Sequence, residues 1–179
     1  MTDPLAKKQT HCEGFAPIVS GVDQVLILGS MPGVRSLQEA FYYAHPRNAF
    51  WPMMAACLDV PGLAQAQRQT QVETLQAHGI ALWDVLAQCQ RSGSLDAAIA
   101  QPVVNDFERF FQTHTQIRQV LFNGQKAHQL FQRWVLPNQA LPQALVYHVM
   151  PSTSPANARL SFENKRDFWC QTLSHRPVK

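Results

Sequence analysis

The chain has 179 residues, 46% of them hydrophobic, which is enough to bury one compact core rather than two. It has no run of about 18 apolar residues, which excludes a helix long and apolar enough to span a membrane. Its first residues lack the apolar centre of a signal peptide, so a cytoplasmic protein is expected, and a net charge of +3 permits an anionic partner without requiring one.

Residues 1–14 read as a loosely ordered lead-in to a single domain over 1–179. Val25-Leu26-Ile27-Leu28 then reads as a buried strand that breaks into the turn Gly29-Ser30-Met31-Pro32-Gly33. Helical spacing follows over 48–58 and again over 63–78, the latter ending at Gly79 as a C-cap. Ile80-Ala81-Leu82-Trp83 reads as a second strand closed by Asp84, and residues 90–94 as a loop. Apolar spacing predicts a helix over 104–114. Val120-Leu121-Phe122 is a third strand, running into Asn123-Gly124, and a helix is predicted over 126–135. A loose stretch over 136–143 precedes the fourth strand, 145–149, and a last helix covers 164–173. Short strands apolar on both faces, alternating with helices, predict an α/β domain. The expected form is a three-layer α/β/α sandwich around a four-stranded, mainly parallel sheet covered on both sides.

In such a sheet, ligands bind at the carboxyl ends of the strands. That gathers the unusual turns on one rim. Gly29 lets a ligand approach the backbone closely. Tyr42-Tyr43-Ala44-His45-Pro46-Arg47-Asn48 suits a pocket that stacks a flat heterocycle and holds a phosphate. Core packing for the aromatics and a helix cap for Asn48 are the plainer alternatives. Asp84 and Asn123 can read a base edge, or serve as a cap and a turn. The segment from Met150 to Asn157, MPSTSPAN, can set hydroxyls and N–H groups on a phosphodiester, or be an ordinary rigid loop. The four cysteines, Cys12, Cys57, Cys89 and Cys170, form no C-x-x-C pair. They read as scattered buried thiols rather than a disulfide or a metal site. The histidines show no ligand spacing, so no metal is expected.

Taken in order, GSMPG, YYAHPRNAFW, GIALWDVL, LFNGQKAH and MPSTSPAN resemble the motifs of the uracil-DNA glycosylase superfamily, from Val25 to about Trp169. The first, second and last most resemble its hypoxanthine-DNA glycosylase branch, family six. Two positions depart from the type enzymes. Met31 stands where they carry the Asp or Asn that handles the attacking water, and Met150 where the last motif opens with His or Asn. The cysteine pattern of the iron–sulfur branches is absent. The resemblance implies Asn48 as the catalytic amide. It implies a base pocket from Gly29, Ser30, Met31, Pro32, Tyr43, His45, Asp84 and Asn123, with Phe41, Tyr42 or Tyr43 as a stacking wall. DNA contacts would come from Arg47, Ser152, Thr153, Ser154, Ala156, Asn157 and Arg159.

The implied activity is a monofunctional DNA glycosylase. It flips a deaminated base out of DNA, chiefly hypoxanthine, and leaves an abasic site. The protein would act as a monomer without cofactor. No lysine falls in a motif, so a Schiff base is not expected. The alternatives are a uracil or G:T/G:U mismatch glycosylase, a catalytically idle protein that binds damaged DNA or nucleotides, and a small-molecule hydrolase.

Overall fold

The structure is a computed structural model that describes residues 10–175. In chain order its elements are β1 (Thr10–Glu13), β2 (Val25–Gly29), α1 (Val34–Glu39), α2 (Phe50–Cys57), α3 (Arg68–Ala77), β3 (Ile80–Asp84), β4 (Leu86–Arg91), β5 (Ala100–Val104), α4 (Phe107–Thr113), β6 (Gln119–Asn123), α5 (Gln125–Leu130), β7 (Val146–Met150) and α6 (Phe162–Ser174). The last turn of α5 widens into a π-helical turn over Phe131–Val135.

Four strands form one parallel sheet in the order β3-β2-β6-β7. Every residue of β2 and β3 is buried. That is why their sequences are apolar without alternation, as strands covered on both faces must be. Register brings the carboxyl ends level: Gly29 pairs with Asp84, Leu28 with Phe122, and Asn123 with Met150. The chain runs from β2 outward to β3, then returns to β6 on the other side of β2. That reversal opens a crevice above the strand ends. Aromatic rings fill the core around β3 and β6, with Trp83 4.9 Å from Phe110 and Phe122 5.1 Å from Phe131 between ring centroids.

Several expectations are corrected. The sheet is not covered throughout: β7 is an edge strand whose Val146, Tyr147 and Val149 stay substantially exposed, because α6 packs against α2. Thr10–Glu13, expected within the loose lead-in, pair antiparallel with β4, and β4 pairs with β5 in a second sheet of three strands. Residues 1–9, with Lys7 and Lys8, and Lys179 lie outside the described residues. Gln90 and Arg91, read as loop, complete β4. The 136–143 stretch is anchored by Gln139. Its Oε1 accepts from the N–H groups of Phe107 and Glu108, and its Nε2 donates to Asn105 O. Cys57 and Cys170 are joined in a disulfide between α2 and α6, where thiols were expected. Their separation of 113 residues hides the pairing from the sequence, since only helix packing brings them together. Cys12 and Cys89 are buried free thiols facing each other across β1 and β4.

Candidate active site

The crevice holds a cavity of about 150 Å³. It is lined from the ends of β2, β3 and β6 and by the loop after β7, and every residue of the expected base pocket reaches it. Asn48 also lines it, as do Ser152, Thr153 and Ser154. Arg47, Ala156, Asn157 and Arg159 do not. Arg47, Ala156 and Arg159 are exposed outside it.

The segment before α2 owes its shape to a few interactions. Tyr43 takes the left-handed backbone conformation at φ 53°, which a bulky residue adopts only when its surroundings hold it. Its ring stacks on Phe50 at 4.1 Å. Next door, Trp51 Nε1 donates to Tyr42 O, and Tyr42 Oη donates to Ala16 O. Of the three aromatics considered as a stacking wall, Tyr42 and Tyr43 line the cavity, whereas Phe41 stacks on Trp51 beside a neighbouring depression. His45 Nδ1 accepts from Arg47 N, so the neutral ring carries its proton on Nε2. Asn48 Oδ1 accepts from Phe50 N at 3.0 Å, so it caps the first N–H of α2 from the residue before the N-cap, Ala49. The cap and the cavity wall are one residue, and one oxygen lone pair and the amide N–H groups remain for a ligand.

At the inner end sits Asp84, 3% exposed, with Oδ2 buried and lacking a hydrogen-bond partner. Burial is the main reason its carboxyl is pushed up to about 7; nearby Asp96 adds to the rise and Arg91 opposes it. The Tyr43 hydroxyl is also buried, meeting the Asn123 amide only at the margin of hydrogen-bond geometry. Burial, reinforced by Asp84, holds Tyr42 and Tyr43 above the usual tyrosine range, so both stay protonated. Sequence reasoning missed Asp96 and Arg91. Asp96 lies in the β4–β5 connection, lines the cavity and accepts from Ser30 Oγ at 2.6 Å. Arg91 is 1% exposed and donates through Nη2 to Pro32 O, which braces the first turn from beneath.

Gly29 is obligatory here. A Cβ at this position would stand 2.3 Å from Asp84 Oδ1 and 2.9 Å from Tyr43 Oη. Gly29→Ala is therefore expected to cost about 1–3 kcal/mol through overpacking. Thermal unfolding of the variant beside the parent protein checks this.

The loop after β7 is tied down by Thr153. Its N–H donates to Asn123 Oδ1 at 2.9 Å, its Oγ1 accepts from Asn123 Nδ2 at 2.8 Å, and its carbonyl accepts from Ala49 N. Thr153 is 1% exposed, so its hydroxyl serves this tie, whereas Ser152 and Ser154 line the cavity and are only half-buried. The same tie engages both the oxygen and the nitrogen of the Asn123 amide, which also lines the cavity. Lys165 is also buried and donates to Asn157 O at 2.6 Å, so it braces the loop from α6. Among the described residues no group of three or more His, Cys, Asp or Glu side chains is placed to hold a metal. Nor is any helix there long and apolar enough to cross a membrane.

Comparisons with known proteins agree on what this arrangement resembles. The model of the family described as "Uracil DNA glycosylase superfamily" matches residues 20–173. Proteins named hypoxanthine DNA glycosylase from Methanosarcina barkeri and Methanosarcina acetivorans are each 30% identical to this chain. Each match covers 90% of this chain, and 97% and 98% of the respective relative. A solution NMR structure from Methanosarcina acetivorans, of a protein assigned as a uracil DNA glycosylase, superposes with a TM-score of 0.79. It is 29% identical, and the match covers 93% of this chain and 98% of that one.

Proposed function

The chain belongs to the uracil-DNA glycosylase superfamily, and we propose that within it the protein excises hypoxanthine from deoxyinosine in DNA. It hydrolyses an N-glycosidic bond in DNA, the reaction of that superfamily. The choice of base is our reading, supported by the names of the two Methanosarcina relatives. The observation that carries it is the depth profile of the cavity: an amide, Asn48, on the half-buried rim and a partnerless carboxyl, Asp84, fully buried at the inner end.

A base in a duplex is out of reach, so the nucleotide rotates into the cavity, most easily from a weak or mismatched pair. Ser152, Ser154 and the exposed Arg47 hold the backbone without reading sequence. Tyr42 and Tyr43 wall the base. The sugar gains oxocarbenium character as the bond breaks, so the reaction needs a positioned water and a stabilised leaving base rather than a strong nucleophile. Asn48 positions the water. Met31, where the type enzymes carry a polar residue, lines the cavity with an apolar side chain that cannot act as a base. The reaction requires no cofactor, and the protein works as a monofunctional, monomeric, single-domain enzyme in the cytoplasm.

The test is strand cleavage of labelled duplexes bearing one deoxyinosine, uracil or G:T mismatch, followed by alkali. The expected result is alkali-dependent cutting, strongest at deoxyinosine. Cutting at uracil alone would overturn the substrate. Tight DNA binding with no cutting of any duplex would favour an idle binder.

A further inference from the structure

We propose that Asp84 is the general acid that protonates the leaving purine at N7, and that Asp96 and Arg91 are positioning residues that set its protonation state. This rests on the purine reading above and extends it from recognition to chemistry.

The geometry comes first. Asn48 and Asp84 line one cavity at different depths. The sugar of a flipped nucleotide stays in the DNA backbone and so remains near the rim, beside Asn48. The base goes deeper, towards Asp84. There the Asp84 carboxyl lines the cavity and is 3% exposed, its Oδ2 is closed off without a donor, and Gly29 leaves no side chain between β2 and the carboxyl. A buried carboxylate with an unpaired oxygen is unfavourable, whereas a carboxylic acid whose O–H meets a ring nitrogen is satisfied.

Each element packed against Asp84 presents identifiable groups. Asp96, from the β4–β5 connection, disfavours a second negative charge; Arg91, from β4, favours one. Arg91 keeps Nε and Nη1 buried without partners, so its charge is not neutralised by an ion pair. Tyr42 and Tyr43 stay neutral, and Asn105 Nδ2 donates only to the Asp84 carbonyl. Burial raises Asp96 as well, against the Ser30 hydroxyl, Arg91 and Lys126. Burial and the neighbouring Asp96 both favour the protonated form of Asp84, and Arg91 opposes it.

The step balances. The bond from C1′ to N9 breaks and its electron pair moves into the imidazole ring of the base, while the Asp84 proton forms N7–H. Hypoxanthine leaves as the neutral 7H tautomer, and Asp84 remains as carboxylate. Water held at Asn48 adds its oxygen to C1′, giving the hydroxyl of the abasic sugar. The proton it releases returns through solvent to Asp84. One water is consumed, and no oxidant or reductant is needed.

The experiment measures single-turnover release of hypoxanthine from a deoxyinosine duplex between about pH 5 and about pH 9. An acid near the value Asp84 reaches gives a rate that is full at low pH and falls about tenfold per unit above about pH 7. Asp84→Asn should lose roughly 10²–10⁴-fold at low pH and show a flat profile, with affinity for an abasic-analogue duplex retained. Asp96→Asn removes the repelling charge, so the fall should begin at lower pH; a purely structural role for Asp96 would not move it. The wild-type enzyme should bind a duplex carrying 7-deaza-2′-deoxyinosine, which has no N7 acceptor, yet fail to cut it, a result that holds even if the Asn variants do not fold. Unchanged cutting of the 7-deaza substrate, or an Asp84→Asn variant that keeps the rate or the pH break, overturns the acid while leaving the substrate assignment intact. Absence of deoxyinosine cutting by the wild type overturns the assignment itself, and the acid with it.

Discussion

Asn48→Ala is expected to reduce single-turnover excision by roughly 10²–10³-fold, the usual loss when one preorganised amide is removed from a reacting centre. The same change removes the hydrogen bond from Phe50 N to Asn48 Oδ1. Losing such a cap costs about 1 kcal/mol, which in a chain of this size lowers Tm by about 2–4 °C. The fold of the rim should survive, because its other ties do not pass through the Asn48 side chain: Asn48 N donates to His45 O and Ala49 N donates to Thr153 O. Activity and stability should therefore separate by orders of magnitude. Asn48→Ser sharpens the separation. A serine hydroxyl can cap α2 but is too short to hold a water over the cavity as the amide does. It should restore most of the lost Tm and little of the rate. A serine variant with near wild-type excision would mean that Asn48 is a helix cap and that the water is positioned by another group.

The parallel sheet and its functional rim were legible because β2, β3 and β6 are covered on both faces, so their apolar runs stand out and their polar ends mark the turns. Gly29, Asp84 and Asn123 could be placed side by side from strand ends alone. The second sheet was not legible. Leu86–Arg91 reads LAQCQR, with too many polar residues for a strand expected to be buried, and its pairing with β5 is broken by register shifts. Losing that sheet from view also lost Asp96 and Arg91, since an isolated Asp in a connection has no spacing to announce it. The sequence marked Asn123 and Thr153 as ligand contacts, whereas much of their hydrogen-bonding capacity is spent on each other. Residue type indicated polar groups on the rim, but only the three-dimensional pairing shows which of them remain available to a substrate.

The Cys57–Cys170 disulfide is expected to be the largest single contributor to stability outside the core. A crosslink spanning 113 residues removes much of the freedom of the unfolded chain, and loop-closure reasoning puts its effect at about 4–5 kcal/mol, with measured cases more often 2–4. Reduction, or the Cys57→Ser and Cys170→Ser double change, should lower Tm by roughly 5–15 °C. The bond also joins the two supports of the site. Helix α2 begins just after Asn48, and α6 holds the loop carrying Ser152 and Ser154 through Lys165 Nζ to Asn157 O and Trp169 Nε1 to Pro151 O. Trp169 is fully buried and keeps α6 seated without the crosslink. Excision at a temperature where both forms are folded should therefore change by only a few-fold, while the unfolding midpoints differ widely. Thermal unfolding with and without reductant, paired with excision at a single low temperature, measures both. Equal midpoints would mean that the unfolded chain gains little from release of the crosslink. A matched collapse of excision and stability would mean that the bond itself holds Asn48 and the serine loop at their working distance. In reducing surroundings, where such bonds rarely persist, a matched collapse would make the enzyme's activity depend on thiol oxidation, whereas excision that changes by only a few-fold would leave it nearly indifferent.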